Sequence, residues 1–120
     1  MKPHFEKTIL IYGLEPMQTL KLCALAQAQG IRCKPVPDSR VFSRIDDLLT
    51  DRDTDGPAVR LPGRFALLAG FGQGPLPTAL INSVAPGVIK AVRTEHNGAW
   101  RFSDLCSEIS QEAQYMNRQK

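Results

Sequence analysis

The chain has 120 residues, a formal net charge of +3 at pH 7 and a pI near 8.9. Its 42% hydrophobic and 22% charged residues exclude a disordered or fibrous protein and suit one compact domain, residues 1–120. So mild a positive charge argues against a nucleic-acid binder, which needs a dense basic stripe.

No apolar run approaches the roughly eighteen residues of a membrane span, so no membrane partner is expected. The N-terminal stretch MKPHFEKTILIYG lacks a secretory apolar region. Cys23, Cys33 and Cys106 form no C-x-x-C, and three cannot all pair, which reads as reduced thiols in a cytoplasmic protein. In chain order, TILIYG (8–13) is a short apolar run ending in glycine, the pattern of a strand buried on both faces. MQTLKLCALAQAQ (17–29) follows, rich in helix formers, with Met17, Leu20, Ala24 and Ala28 on one helical face and Gly30 as its stop. IRCKPVP (31–37) holds two prolines and reads as an edge strand. In RVFSRIDDLL (40–49), Val41, Ile45, Leu48 and Leu49 recur at helical intervals, and Ser43 with Asp46 offers a capping box. DRDTDGPAVRLPGR (51–64) is polar and acidic at first, with two glycines and two prolines, and reads as a mobile loop.

The second part follows the same order. FALLAGF (65–71) is another buried-strand run, GPLPTALINSVAPG (74–87) a helix whose Pro75 suits a first turn, and VIKAVRTE (88–95) a strand. AWRFSDLCSEISQEAQYM (99–116) is amphipathic through Phe102, Leu105, Cys106, Ile109 and Ala113. An offset of 57 carries Leu10 to Leu67, Gly13 to Gly70, Gly30 to Gly87, Ile45 to Phe102, Asp47 to Asp104 and Leu48 to Leu105 without a gap. The sequence therefore reads as two β-α-β-α halves, an internal pseudo-repeat over 8–50 and 65–110.

The run FALLAGF, its helix and IKAVRTEHNGAWRFSDL resemble the bacterial domain-of-unknown-function family numbered 3783. The matching positions are Gly70, Phe71, Lys90, Ala91, Val92, Thr94, Asn97, Trp100 and Leu105. The first half is similar only as a degenerate copy, without the Lys-Ala-Val or the tryptophan. Arg101 and the glycine-rich GFGQGP depart from the family pattern. The resemblance implies fold and register; it implies no activity.

Two α/β architectures fit one four-stranded sheet with the apolar strands inside. One is a parallel sheet in order 2-1-3-4 with helices on both faces; the other is ferredoxin-like, antiparallel, in order 4-1-3-2. The residues between Pro37 and Arg64 include a helix, which suits a parallel crossover and favours the first. In that arrangement the ends of strands 1 and 3 would flank a crevice, with Tyr12, Gly13 and Glu15 facing Gly70, Gly72, Gln73 and Gly74. Gly70 reads as a turn leaving a strand, and the G-x-G-x-G spacing fits neither a dinucleotide fingerprint nor a P-loop.

Thr94, His96, Asn97 and Trp100 follow the last strand as further ligand-binding candidates, with Trp100 also suited to anchoring the final helix. Arg40, Arg44, Arg93 and Arg101 follow the edge strands and offer an anion or an acidic partner a landing place. His4 and His96 are too far apart for a metal motif, and no nucleophile–base set is visible, so no catalytic residue, metal or cofactor is assigned. The expectation is a non-enzymatic module binding a protein partner or a small ligand, able to self-associate through a sheet edge. The alternative is an anion- or nucleotide-binding domain or an enzyme using the strand 1/strand 3 crevice.

Overall fold

A computed structural model of the chain describes residues 5–118; His4 lies outside them. The elements run β1 (Thr8–Tyr12), α1 (Pro16–Ala28), β2 (Arg32–Pro35), a 3-10 turn (Asp38–Arg40), α2 (Ile45–Leu49), β3 (Phe65–Ala69), α3 (Thr78–Val84), β4 (Ile89–Val92) and α4 (Phe102–Arg118). They build one four-stranded sheet in the order β2-β1-β3-β4. Apart from Thr8, β1 and β3 carry apolar or aromatic side chains because both faces are covered, and every residue of both is buried. No helix among the described residues is long and apolar enough to cross a membrane.

The order matches the expectation, but the sheet is mixed rather than parallel. β1 pairs β2 in parallel and β3 pairs β4 in parallel, while β1 and β3 run antiparallel with Leu10 opposite Leu67. A helix between strands permits a parallel crossover without requiring one. Here α2 is only Ile45–Leu49, and the chain beyond it returns to the end of β1, not to its start. Two contacts guide it there: Val59 N–H bonds Asp38 O, and Leu61 N–H bonds the Tyr12 hydroxyl at 2.8 Å. Phe65 therefore starts beside Tyr12, and Ala69 ends beside Thr8.

This pairing overturns the expected crevice. Gly13 packs against Gly63 and Arg64, whereas Gly70 packs against Phe5 and Glu6, so the two glycine corners lie at opposite ends of the sheet.

Offset pairs nonetheless recur in space. The ladder Thr8↔Arg32 to Ile11↔Pro35 has its counterpart 57 residues later in Phe65↔Ile89 to Leu68↔Val92. Gly13 and Gly70 share φ of 84° and 85°, each tight against the segment leading into the other central strand. The contacts are thus related by a local two-fold axis between Leu10 and Leu67.

One face of the sheet carries α1 and α3, with Leu22, Ala26, Ile81 and Ala85 over Ile9, Ile11, Ala66 and Leu68. The other carries α2 and α4, with Val41, Ile45, Leu48, Phe102, Leu105 and Cys106 over Leu10, Tyr12, Phe65 and Leu67.

Two local expectations change. The α1 face of Met17, Leu20, Ala24 and Ala28 points to solvent, Met17 at 75% and Leu20 at 66% exposure, and Leu22 with Ala26 is the buried pair. Apolar residues occur all round this helix, so their spacing did not single out the inner face. The Ser43–Asp46 capping box does not form. α2 starts after Arg44 without a side-chain cap, and the Asp46 carboxylate is held by Arg93 at 2.9 Å.

Gly70 carries a φ of +85°, and a Cβ there would stand 2.5 Å from Phe5 O and press on Glu6 O. Gly72 has φ of +57° but open space around it. Gly70→Ala is expected to cost about 3 kcal/mol and Gly72→Ala about 1 kcal/mol, measured as shifts in urea unfolding. Equal costs would mean that the close approach to Phe5 and Glu6 does not hold the strand end.

Candidate functional site

The candidate residues named from sequence separate into distinct places. Tyr12 is buried; its hydroxyl donates to Asp38 Oδ1 at 2.6 Å and accepts from Leu61 N, so it ties the returning loop to the 3-10 turn. Burial, with the hydrogen bond to Asp38, pushes its phenol above the ordinary value. Glu15 caps α1, and its N–H donates to Gln18 Oε1. Gly72, Gln73 and Gly74 form an exposed turn at the far end of the sheet, with Gly74 N–H bonded to Phe71 O. α3 begins only at Thr78, so Pro75 stands before the helix rather than in its first turn.

Thr94 and Asn97 are spent on structure. Asn97 Oδ1 accepts from Thr94 N–H, Thr94 Oγ1 accepts from Asn97 N–H, and Asn97 Nδ2 donates to Val92 O. This closes the end of β4 and aims the chain at α4. His96 is exposed, its ring 6.0 Å from that of Trp100. Trp100 is half-buried against the α2/α4 core, as its anchoring reading expects. None of these groups faces another as a catalytic pair. Burial pushes the Cys106 thiol up to about 12. It raises Cys33 as well, helped by the neighbouring Cys23, so neither thiol is a ready nucleophile near neutrality.

What the fold does bring together is the start of α2 and the start of α4. Arg44 and Arg101, 57 residues apart, form an isolated antiparallel bridge. Around it Ile45 N–H bonds Trp100 O and Phe102 N–H bonds Ser43 O, both at 2.9 Å. One step further, Asp46 N–H bonds Gly98 O and Ser103 N–H bonds Val41 O. Each helix thus has its first two amides satisfied by the backbone leading into the other, which replaces side-chain caps.

The side chains at this junction differ from most other arginines among the described residues. Arg32 and Lys34 pair with Asp51, Lys34 and Arg40 with Asp53, Arg40 with Asp55, and Arg93 with Asp46. Arg64 donates to Pro86 O, and Arg60 lies over the Tyr12 ring. Among the described residues Arg44, Arg52 and Arg101 make no side-chain hydrogen bond or ion pair, and all three line one hollow of about 330 Å³. Of the four arginines singled out from sequence, the structure therefore joins Arg44 with Arg101 and commits Arg40 and Arg93 internally. Arg52 was missed because the acidic run around it dominates the local pattern.

That run, Asp51 to Gly56, alternates carboxylates and ends in glycine as a calcium loop does, but Pro62 stands where the bidentate glutamate belongs. Its acids are already held by Arg32, Lys34 and Arg40, and among the described residues no group of His, Cys, Asp or Glu is placed to hold a metal.

Asp53 is the buried member, its side chain 1% exposed. Burial alone would raise its carboxyl, but hydrogen bonds from Lys34 and Arg40 outweigh that and hold it below the ordinary range. Lys34 and Arg32 lower Asp51, and Arg40 and Ser39 lower Asp55. Depressed carboxyls stabilise the fold above the unfolded value near 4, and this is lost as pH falls below it. Asp53→Asn is expected to cost about 2 kcal/mol at pH 7, and much less at pH 2.5, by urea unfolding at both pH values. A cost independent of pH would assign the loss to packing.

No curated protein and no solved structure matches the chain. The family match begins past Gly70 and Phe71, and takes in Lys90, Ala91, Val92, Thr94, Asn97, Trp100 and Leu105. Residues 78–116, from α3 through most of α4, match the model of the family described as Domain of unknown function (DUF3783).

Proposed function

We propose that this protein is a non-enzymatic interaction module that binds an acidic segment of a partner protein through the face where α2 and α4 begin. The observation supporting this is the unneutralised trio Arg44, Arg52 and Arg101 on one hollow, in a molecule that neutralises most of its other arginines. Like charges directly opposite across an antiparallel bridge repel, and a bound anion would relieve the repulsion between Arg44 and Arg101. Phe42, 38% exposed, and half-buried Trp100 flank the pair, adding apolar contact beside charge. The same proposal holds the chain to be one cytoplasmic domain whose halves, 8–50 and 65–110, descend from one unit.

A glutamate-rich peptide titrated into the protein is expected to change the fluorescence of Trp100, the only tryptophan, saturably, with an affinity that falls as salt rises. Arg44→Ala with Arg101→Ala should weaken it at least about tenfold, while Lys21→Ala on the exposed side of α1 leaves it unchanged. Retained affinity in the double variant, with an unaltered urea midpoint, would remove this face from the function.

A further inference from the structure

Resting on that reading of the face, we infer that the group the Arg44–Arg52–Arg101 hollow takes is a phosphomonoester dianion, as on a phosphorylated side chain. The charge around the hollow carries the argument. Asp53 and Asp55 also line it but are held by Lys34 and Arg40, so Asp47 is the remaining carboxylate against three arginines. Within this hollow's own lining, three arginines therefore face one uncommitted carboxylate.

A phosphomonoester carries close to two negative charges at neutral pH and offers three acceptor oxygens, enough to engage separate guanidinium forks. A carboxylate carries one charge, occupies one fork, and would leave the repulsion between Arg44 and Arg101 half-compensated.

The neighbouring hollow, of about 460 Å³, lies across the local two-fold axis and shows the contrast. It shares Arg44 and Arg101 and adds Trp100, but carries two carboxylates, Asp104 and Glu108, and no third cation. The +57 counterpart of Arg52 is Ile109, so the third cation exists on one side alone. The hydroxyls of Ser39 and Ser43 also stand on the wall of the charged hollow, Ser39 donating to Asp55 and Ser43 to Thr54 O.

The test uses the full chain and three peptides of one acidic sequence, carrying phosphoserine, serine or glutamate at the central position, followed by Trp100 fluorescence and calorimetry. The phosphoserine peptide is expected to bind at least about tenfold tighter than the glutamate form, and Arg52→Ala to lower its affinity by a similar factor at an unchanged urea midpoint. Phenyl phosphate separates the sources of the dianion. Competition at concentrations equal to the peptide's identifies a small phosphorylated compound, and competition only at large excess identifies a phosphopeptide. Equal affinity for the phosphoserine and glutamate peptides would overturn the phosphate inference and leave the acidic-partner reading standing. Failure of all three peptides to bind would overturn both.

Discussion

The antiparallel contact of β1 with β3 is the constraint on which the rest of this molecule depends. With Leu10 opposite Leu67 at its centre, it relates offset residues by a local axis through the sheet. α1 and α3 then cover one face and α2 and α4 the other. The same axis brings the starts of α2 and α4 into contact, where each supplies carbonyls to the other's first amides. Helix starts ordinarily recruit Ser, Thr, Asp or Asn for that purpose. Here the backbone does it, which leaves positions 44 and 101 free to be arginine. The antiparallel contact thus produces both the core and the surface on which the functional reading rests.

Charge is distributed in two ways that the fold makes intelligible. Cations on and after β2 face the returning loop, and the alternation Asp51, Asp53, Asp55 delivers carboxylates to Arg32, Lys34 and Arg40. This network fastens the loop along the sheet edge, and with Leu61 on the Tyr12 hydroxyl it helps deliver β3 beside the end of β1. The arginines at the helix junction stand outside the network. An ion pair in partial burial stabilises only when its partners are well satisfied, as at Asp53, whereas exposed unpaired cations contribute little to folding. Their side chains are therefore not needed to hold the fold together.

Much of the fold was legible in the residues. The two apolar runs predicted the central strands, the proline-bearing IRCKPVP an edge, and the 57-residue offset coincides with the observed registers. Strand direction was not legible, because it depends on where residues 50–64 deliver the chain. That path is set by side-chain contacts such as Lys34 with Asp53, far apart in sequence. The crevice failed with the direction, since Gly13 and Gly70 are each strand-leaving corners but at opposite ends. The inner face of α1 was not legible either, because Met17 and Leu20 are as apolar as the buried Leu22. Of the arginine site, Arg44 and Arg101 were visible as candidates, but their juxtaposition exists only once the helix starts meet.

The halves differ where the family match stops, and the difference has a physical content. In the second half Asn97 holds the end of β4 by bonding Val92 O and Thr94 N–H, and Trp100 seats the start of α4. The offset counterparts of Thr94, Asn97 and Trp100 are Pro37, Arg40 and Ser43. Pro37 cannot offer the N–H that Thr94 gives, so the same closure is unavailable there. Instead the 3-10 turn Asp38–Arg40 forms, and Arg40 reaches Asp53 and Asp55 in the loop. The first half thus fastens its strand end with charge supplied by the connection, and the second with one buried asparagine. An ionic closure requires the acidic segment beside it, and that segment brings Arg52 to the junction hollow with Arg44 and Arg101. The different closures of the two strand ends and the asymmetric charge of the junction thus go together: where Asn97 closes β4 with an amide, the end of β2 is closed by ion pairs.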